Sequence, residues 1–144
     1  MTWRKRRDRL YRGDTNPPTR PTPTADNSLV RHILYIGGRG RETPYQSTSE
    51  VEEVAREFAP VKKGKVHSTY APHAESLGLK HISRMDLLNL LKGRGKGHAR
   101  WASPYVVMQA RKYVEQSFEH LIDFSGQTDL DGEELDSLLT DLYE

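Results

Sequence analysis

The apolar residues of this chain fall in short clusters separated by polar, proline-rich or glycine-rich stretches. Leu10 to Arg12 predicts a short strand. Asn16 to Asn27 carries four prolines and several threonines and reads as a loop or extended arm. Leu29 to Ile36 is apolar and β-branched enough to predict a strand. Gly37-Gly38-Arg39-Gly40-Arg41 reads as a flexible basic turn, and Pro44 to Thr48 as a second extended piece. Ser49 and Glu52 fit a capping box that opens a helix. Val51, Val54, Ala55 and Phe58 follow at helical spacing, and Pro60 ends it. Val66 to Ala71 predicts a strand. Ser83 and Asp86 mark the start of a short helix carrying Met85, Leu87, Leu88 and Leu91, stopped by Gly93, Gly95 and Gly97. Ser103 and Pro104 read as N-cap and first helical residue, with Val107, Ala110 and Val114 as the apolar stripe. His120 to Phe124 predicts a strand broken by Gly126. Leu135, Leu138, Leu139 and Leu142 give a last helix. Short strands interrupted by helices make a mixed α+β domain the expected fold class.

At 144 residues the chain is long enough for one core. No apolar run approaches the length needed to cross a bilayer. The basic start, Arg4 to Arg7, is not followed by an apolar stretch, so Sec-type export is not expected. Cysteine is absent, which excludes a disulfide framework, a thiol nucleophile and a thiolate metal site. His67, His73, His81 and His98 lack metal-like spacing and read as non-ligands.

Charge is unevenly placed. Arg4, Lys5, Arg6, Arg7 and Arg9 crowd the start, and Lys92, Arg94, Lys96 and Arg100 form a second basic cluster among glycines. No Lys or Arg follows Lys112, and the tail is acidic. This asymmetry fits an anionic partner for one end, or an acidic tail helix lying over a basic surface of the same molecule. The Gly-Arg-Gly-Lys-Gly run at 93–97 lacks the spacing of a phosphate-binding P-loop.

The motifs that bear on chemistry are Tyr11-Arg12-Gly13-Asp14 followed by Pro17-Pro18, His32, Ser47-Thr48-Ser49, and Glu119 in Gln116-Ser117-Phe118-Glu119. Over about residues 10 to 125 this order resembles the ADP-ribosyltransferase domains of the cholera and pertussis toxin family. The resemblance implies an ADP-ribosyltransferase-like α+β fold, with small mixed or antiparallel sheets and short helices around an NAD cleft. It implies a catalytic domain at 10–125, which the charge and apolar spacing flank with a basic segment at 1–9 and an acidic helix at 126–144. It implies a mono-ADP-ribosyltransferase that uses NAD as substrate, acts as a toxin or effector in a target-cell cytoplasm, and modifies a protein or nucleic-acid acceptor. An antidote or delivery protein is a further implied partner.

Arg12 would hold NAD through phosphate or ribose oxygens. Ser47 would orient Glu119, and Thr48 would support the strand. His32, on a strand, would position the nicotinamide ribose or the adenosine side. Tyr45 would wall the nicotinamide pocket. Glu119 would bind the ribose 2′-hydroxyl and stabilise the developing cation. The family has Glu or Gln two positions before that glutamate, where this chain has Ser117; Gln116 or Glu115 is the expected substitute.

Each residue also has a plainer reading. Arg12 would be a surface arginine, Ser47 and Ser49 helix caps, His32 a structural histidine and Glu119 a solvated charge on a helix. The corresponding second function is a non-catalytic binding module, either a decayed relative of the fold or a basic nucleic-acid-binding domain.

Overall fold

The computed structural model describes residues 2–38 and 40–144; Met1, and Arg39 of the predicted basic turn, lie outside the described residues. Among the described residues five strands form one antiparallel sheet: β1 (Leu10–Thr15), β2 (Tyr45–Ser49), β3 (Gly64–Thr69), β4 (Lys80–Ile82) and β5 (Glu119–Asp123). Their order across the sheet is β3-β1-β2-β5-β4. The α-helices among the same residues are α1 (Leu29–Ile33), α2 (Glu52–Phe58), α3 (Ala71–Ser76), α4 (Arg84–Leu90), α5 (Pro104–Ser117) and α6 (Gly132–Leu142). The fold is α+β, as expected.

Strand alternation divides the core in two. Tyr45 and Leu121 face one side, where Leu29, Val30 and Ile33 of α1, Leu87 of α4 and Val107, Ala110 and Val114 of α5 cover them. Leu10, Ile122 and Phe124 face the other, against Ala71 and Ala74 of α3 and Leu139 and Leu142 of α6. The acidic tail is therefore part of this domain rather than an appended helix. Its last residue pairs with Ser68 of β3 through both backbone groups.

The sheet has a weak seam. β1 pairs with β3 through six residue pairs and β2 with β5 through five, but β1 meets β2 at a single pair, Tyr11 with Ser49. Two tightly laddered halves are thus joined at one point, close to Arg12.

Two predicted starts are corrected. Leu29 to Ile36 is not a strand: Ser28 Oγ accepts from the Arg31 N–H and caps α1. The capping box expected of Ser49 and Glu52 does not form either. Val51 is the N-cap of α2, and Ser49 Oγ accepts from the Val51 N–H while donating to the Ser117 carbonyl. The boxes at Ser83 with Asp86 and at Asp131 with Glu134 are complete.

Candidate active site

Arg12, Ser47, His32 and Glu119 come together around the β1–β2 seam. Arg12 donates from Nε to Asp14 Oδ2 at 2.9 Å and from Nη1 to the Ser47 carbonyl at 2.9 Å. A continuing β1–β2 ladder would use backbone N–H groups there; the guanidinium replaces them. Burial opposes the Asp14 charge, but Arg12, Thr19 and the N–H groups of Thr15 and Thr19 outweigh it and hold the carboxyl below its ordinary range. Arg12 is thereby fixed on a carboxylate. Its second terminal nitrogen, Nη2, makes no hydrogen bond among the described residues, which leaves one edge of the fork for another acceptor.

Ser47 and Glu119 lie on the same sheet face, because Tyr45, Ser47 and Ser49 alternate together and Ser49 pairs with Glu119. His32 reaches them from α1, not from a strand. Its Nε2 lies 2.8 Å from Ser47 Oγ and its Nδ1 lies 2.8 Å from Thr43 Oγ1. Burial first, then Arg41 and Arg12, push its pKa down to about 3, so the ring is neutral. Thr43 Oγ1 also accepts from the Tyr45 N–H. One tautomer satisfies every group: Thr43 donates to Nδ1, Nε2–H donates to Ser47 Oγ, and the serine proton is left for Glu119. The Ser47 hydroxyl adjoins the Glu119 carboxylate and favours its charged form, although its well-formed bond is the one to His32.

Glu119 begins β5 directly after Phe118, which takes a left-handed conformation (φ 49°) to cap α5. The Glu50 N–H holds the Phe118 carbonyl and Ser49 Oγ holds that of Ser117. This clamp turns Glu119 inward to 3% exposure. Burial pushes its carboxyl up to about 7, against Ser47, Arg41 and Arg12. Its Oε2 is buried with no hydrogen-bond partner among the described residues.

Arg41 is a site residue that the sequence motifs do not single out. Its Nη2 donates to the His32 carbonyl at 2.8 Å, and its guanidinium lies 4.2 Å from the centre of the Tyr35 ring. Its Nε is buried and unpartnered among the described residues. Burial lowers the proton affinity of Arg41, while Tyr35 and then Glu119 act to retain the charge. Its only sequence signal is the basic glycine-rich turn.

The remaining expectations divide. Thr48 donates to the His120 carbonyl and ties β2 to β5, in keeping with a supporting role. Tyr45 is in the core at 3% exposure. It donates to the Asn27 carbonyl and meets the His32 ring edge-on at 5.5 Å. It therefore backs the histidine instead of walling an open pocket. Glu115 pairs with Arg111 on the outer face of α5, and Gln116 is exposed, so neither turns toward Glu119. Two surface depressions lie elsewhere, one beside Glu52, Arg56 and Lys65 and one beneath Trp3 at His81 and His120. Tyr35, Arg41 and Tyr113 are grouped beside the site. Among the described residues no group of three or more His, Asp or Glu side chains is arranged to hold a metal, and no helix is long and apolar enough to cross a membrane. No protein-family profile, curated protein or solved structure matches the chain.

Proposed function

We propose that this protein is a mono-ADP-ribosyltransferase that transfers ADP-ribose from NAD to a target macromolecule, as a toxin or effector catalytic domain. The observation that carries the reading is a pair of unmatched groups. Among the described residues, buried Glu119 Oε2 has no donor and buried Arg41 Nε–H has no acceptor, and both neighbour the His32–Ser47 pair. Buried polar atoms are nearly always satisfied, and exceptions point to a missing ligand or water. A sugar hydroxyl supplies the donor that Oε2 lacks, and a phosphate or ribose oxygen supplies the acceptor that Nε lacks.

The chemistry follows from charge. The bond between nicotinamide and C1′ of the ribose breaks with its electron pair leaving on nicotinamide, and the ribose becomes oxocarbenium-like. A carboxylate fixed on the 2′-hydroxyl stabilises that cation in a site that excludes water. Glu119 is suited to this because Ser47, held by neutral His32, is left with a proton to donate to it. The free edge of Arg12 offers a cationic fork to the pyrophosphate. The acceptor nucleophile then bonds to C1′ and releases its proton.

Nicotinamide release from NAD tests the reading. Wild-type protein is expected to release it, and Glu119→Gln to lose at least about a hundredfold in rate. Arg12→Ala should weaken NAD binding more than it slows the bound complex. Absence of both NAD binding and nicotinamide release in the wild type would overturn the assignment.

A further inference from the structure

The acidic tail does not neutralise the second basic cluster. Asp136 of α6 takes both Nε and Nη2 of Arg20, at 2.7 and 2.6 Å, and Glu144 takes Arg9 at 2.6 Å. Between Asp86 and Glu115 the sequence has no acidic residue but has Lys92, Arg94, Lys96, Arg100, Arg111 and Lys112. Lys92, Arg94, Lys96 and Arg100 are exposed and join no salt bridge among the described residues.

This loop is built, not frayed. The N–H of Lys96 donates to the Leu90 carbonyl and that of Trp101 to the Arg94 carbonyl, both at 2.8 Å. Ala99 anchors the loop in the core beside Leu29, Val30 and Ile33. Gly95 has φ 82°, and a Cβ there would sit 2.0 Å from the Ala99 carbonyl oxygen, so the chain must be glycine at that point. The cations are thus displayed on a fixed frame, which limits the ordering entropy lost on binding.

The loop runs into α5, whose buried face is Val107, Ala110 and Val114. The opposite face shows Tyr105 at 63% exposure, Met108 at 44% and the exposed Lys112, at helical spacing. An aromatic ring at the start of the helix that directly follows a run of unpaired cations is the combination that single strands need: phosphates follow the charges and a base stacks on the ring. We infer that the 92–100 loop and the outer face of α5 form a binding surface for single-stranded nucleic acid. Lys92, Arg94, Lys96 and Arg100 take backbone phosphates, and Tyr105 takes a base. None of the loop cations or Tyr105 is among the residues grouped around Glu119, and the existence of this surface does not depend on NAD cleavage.

Fluorescence anisotropy with a labelled oligodeoxythymidine of about 20 nucleotides tests it, at about 50 and 200 mM salt. The expected result is binding that weakens steeply with salt. Replacing Lys92, Arg94, Lys96 and Arg100 by Ala together should cost at least about tenfold in affinity and flatten the salt slope by about 3. Tyr105→Ala should cost about fivefold or more at unchanged salt slope, with Tyr105→Phe restoring affinity. Glu119→Gln should bind like the wild type, which separates failure of this surface from failure of the catalytic reading. The inference is overturned by no binding at the lower salt, by full affinity in Tyr105→Ala, or by a duplex of the same length or heparin competing as well as the single strand. Circular dichroism of each variant checks folding, which these exposed side chains do not support.

Discussion

Glu119 is the residue at which folding and chemistry pull in opposite directions. Its carboxyl is raised from 4.5 to about 7 by burial. The folded state therefore holds a proton that the unfolded state has lost, and stability falls as pH rises from about 4.5 through about 7. The loss is of the order of 3 kcal/mol, since each pH unit separating the folded and unfolded values contributes about 1.4 kcal/mol. The function proposed for it needs the ionised form, the form that folding disfavours. Two outcomes are expected. Urea unfolding should show Glu119→Gln gaining on the wild type as pH rises, with the difference levelling off above about 7. Nicotinamide release by the wild type should rise through an apparent pKa near 7. Equal stability of the two proteins at every pH would mean that the carboxylate is not held in the dry setting described above. Arg12, by contrast, is fixed on ionised Asp14, and its role in the site does not change over this range.

At the scale of elements, β1 and α2 press together so closely that Gly13 has no substitute. A Cβ on Gly13 would lie 1.8 Å from the Ala55 carbonyl oxygen, which is helix backbone and cannot swing aside. Gly13→Ala is expected to cost about 3 kcal/mol or more, measured as a fall in the urea midpoint. Gly126→Ala, with nothing within 4 Å of its added carbon, should change little. This closeness matters to the site because Gly13 sits between Arg12 and Asp14.

The same scale shows what the sequence can disclose. The helix opened by Ser83 with Asp86 is legible because cap, apolar spacing and stop agree, and that opened by Ser103-Pro104 because the proline start and the apolar spacing agree. The strand at Glu119–Asp123 is legible within a residue, from apolar density after a helix. The helix at Leu29–Ile33 is not, because a short apolar run has no period that separates strand from helix; Ser28, held by Asp26, decides it. The short α3 and β4 carry too few residues to make a pattern. Of the site, Arg12, Ser47, His32 and Glu119 are legible as motifs. The partnership of Arg41 with Glu119 is not, since it arises only when Arg41 is held against α1 at the His32 carbonyl.

Across the whole molecule, buried neutral histidines stand on both sides of the sheet. His32 lies with α1 on one side. On the other, His81 Nε2 meets His120 Nδ1 at 2.9 Å, and His120 Nε2 meets Glu50 Oε2 at 2.8 Å. With both rings neutral this chain is consistent: His120 donates to Glu50 and accepts from His81. Burial is the first cause in all three, and it lowers His32 and His120 to about 3 and His81 to about 4. Arg84 adds to it at His120, and His120 and Lys5 add to it at His81. A depressed histidine contributes stability that is whole above about 6.5 and is lost as pH falls toward its folded pKa. Glu119 acts in the opposite sense between about 4.5 and 7. In the window they share, unfolding takes up three protons at the histidines and releases protons at Glu119 and at Glu50, whose carboxyl burial also raises, a net uptake of about one to two. The expected outcome is a stability that drops by about 2 kcal/mol per pH unit below about 6. Denaturant midpoints measured between about pH 7 and pH 5 would give the slope. Trp3, whose ring centre is 4.3 Å from that of His120, should report the transition by fluorescence. His81→Gln keeps a donor toward His120 and removes one titrating group, so it should reduce the net uptake by about one proton. A flat profile in the wild type would show that two of these rings take up protons in the folded state, whereas the chain from Glu50 through His120 to His81 has room for only one.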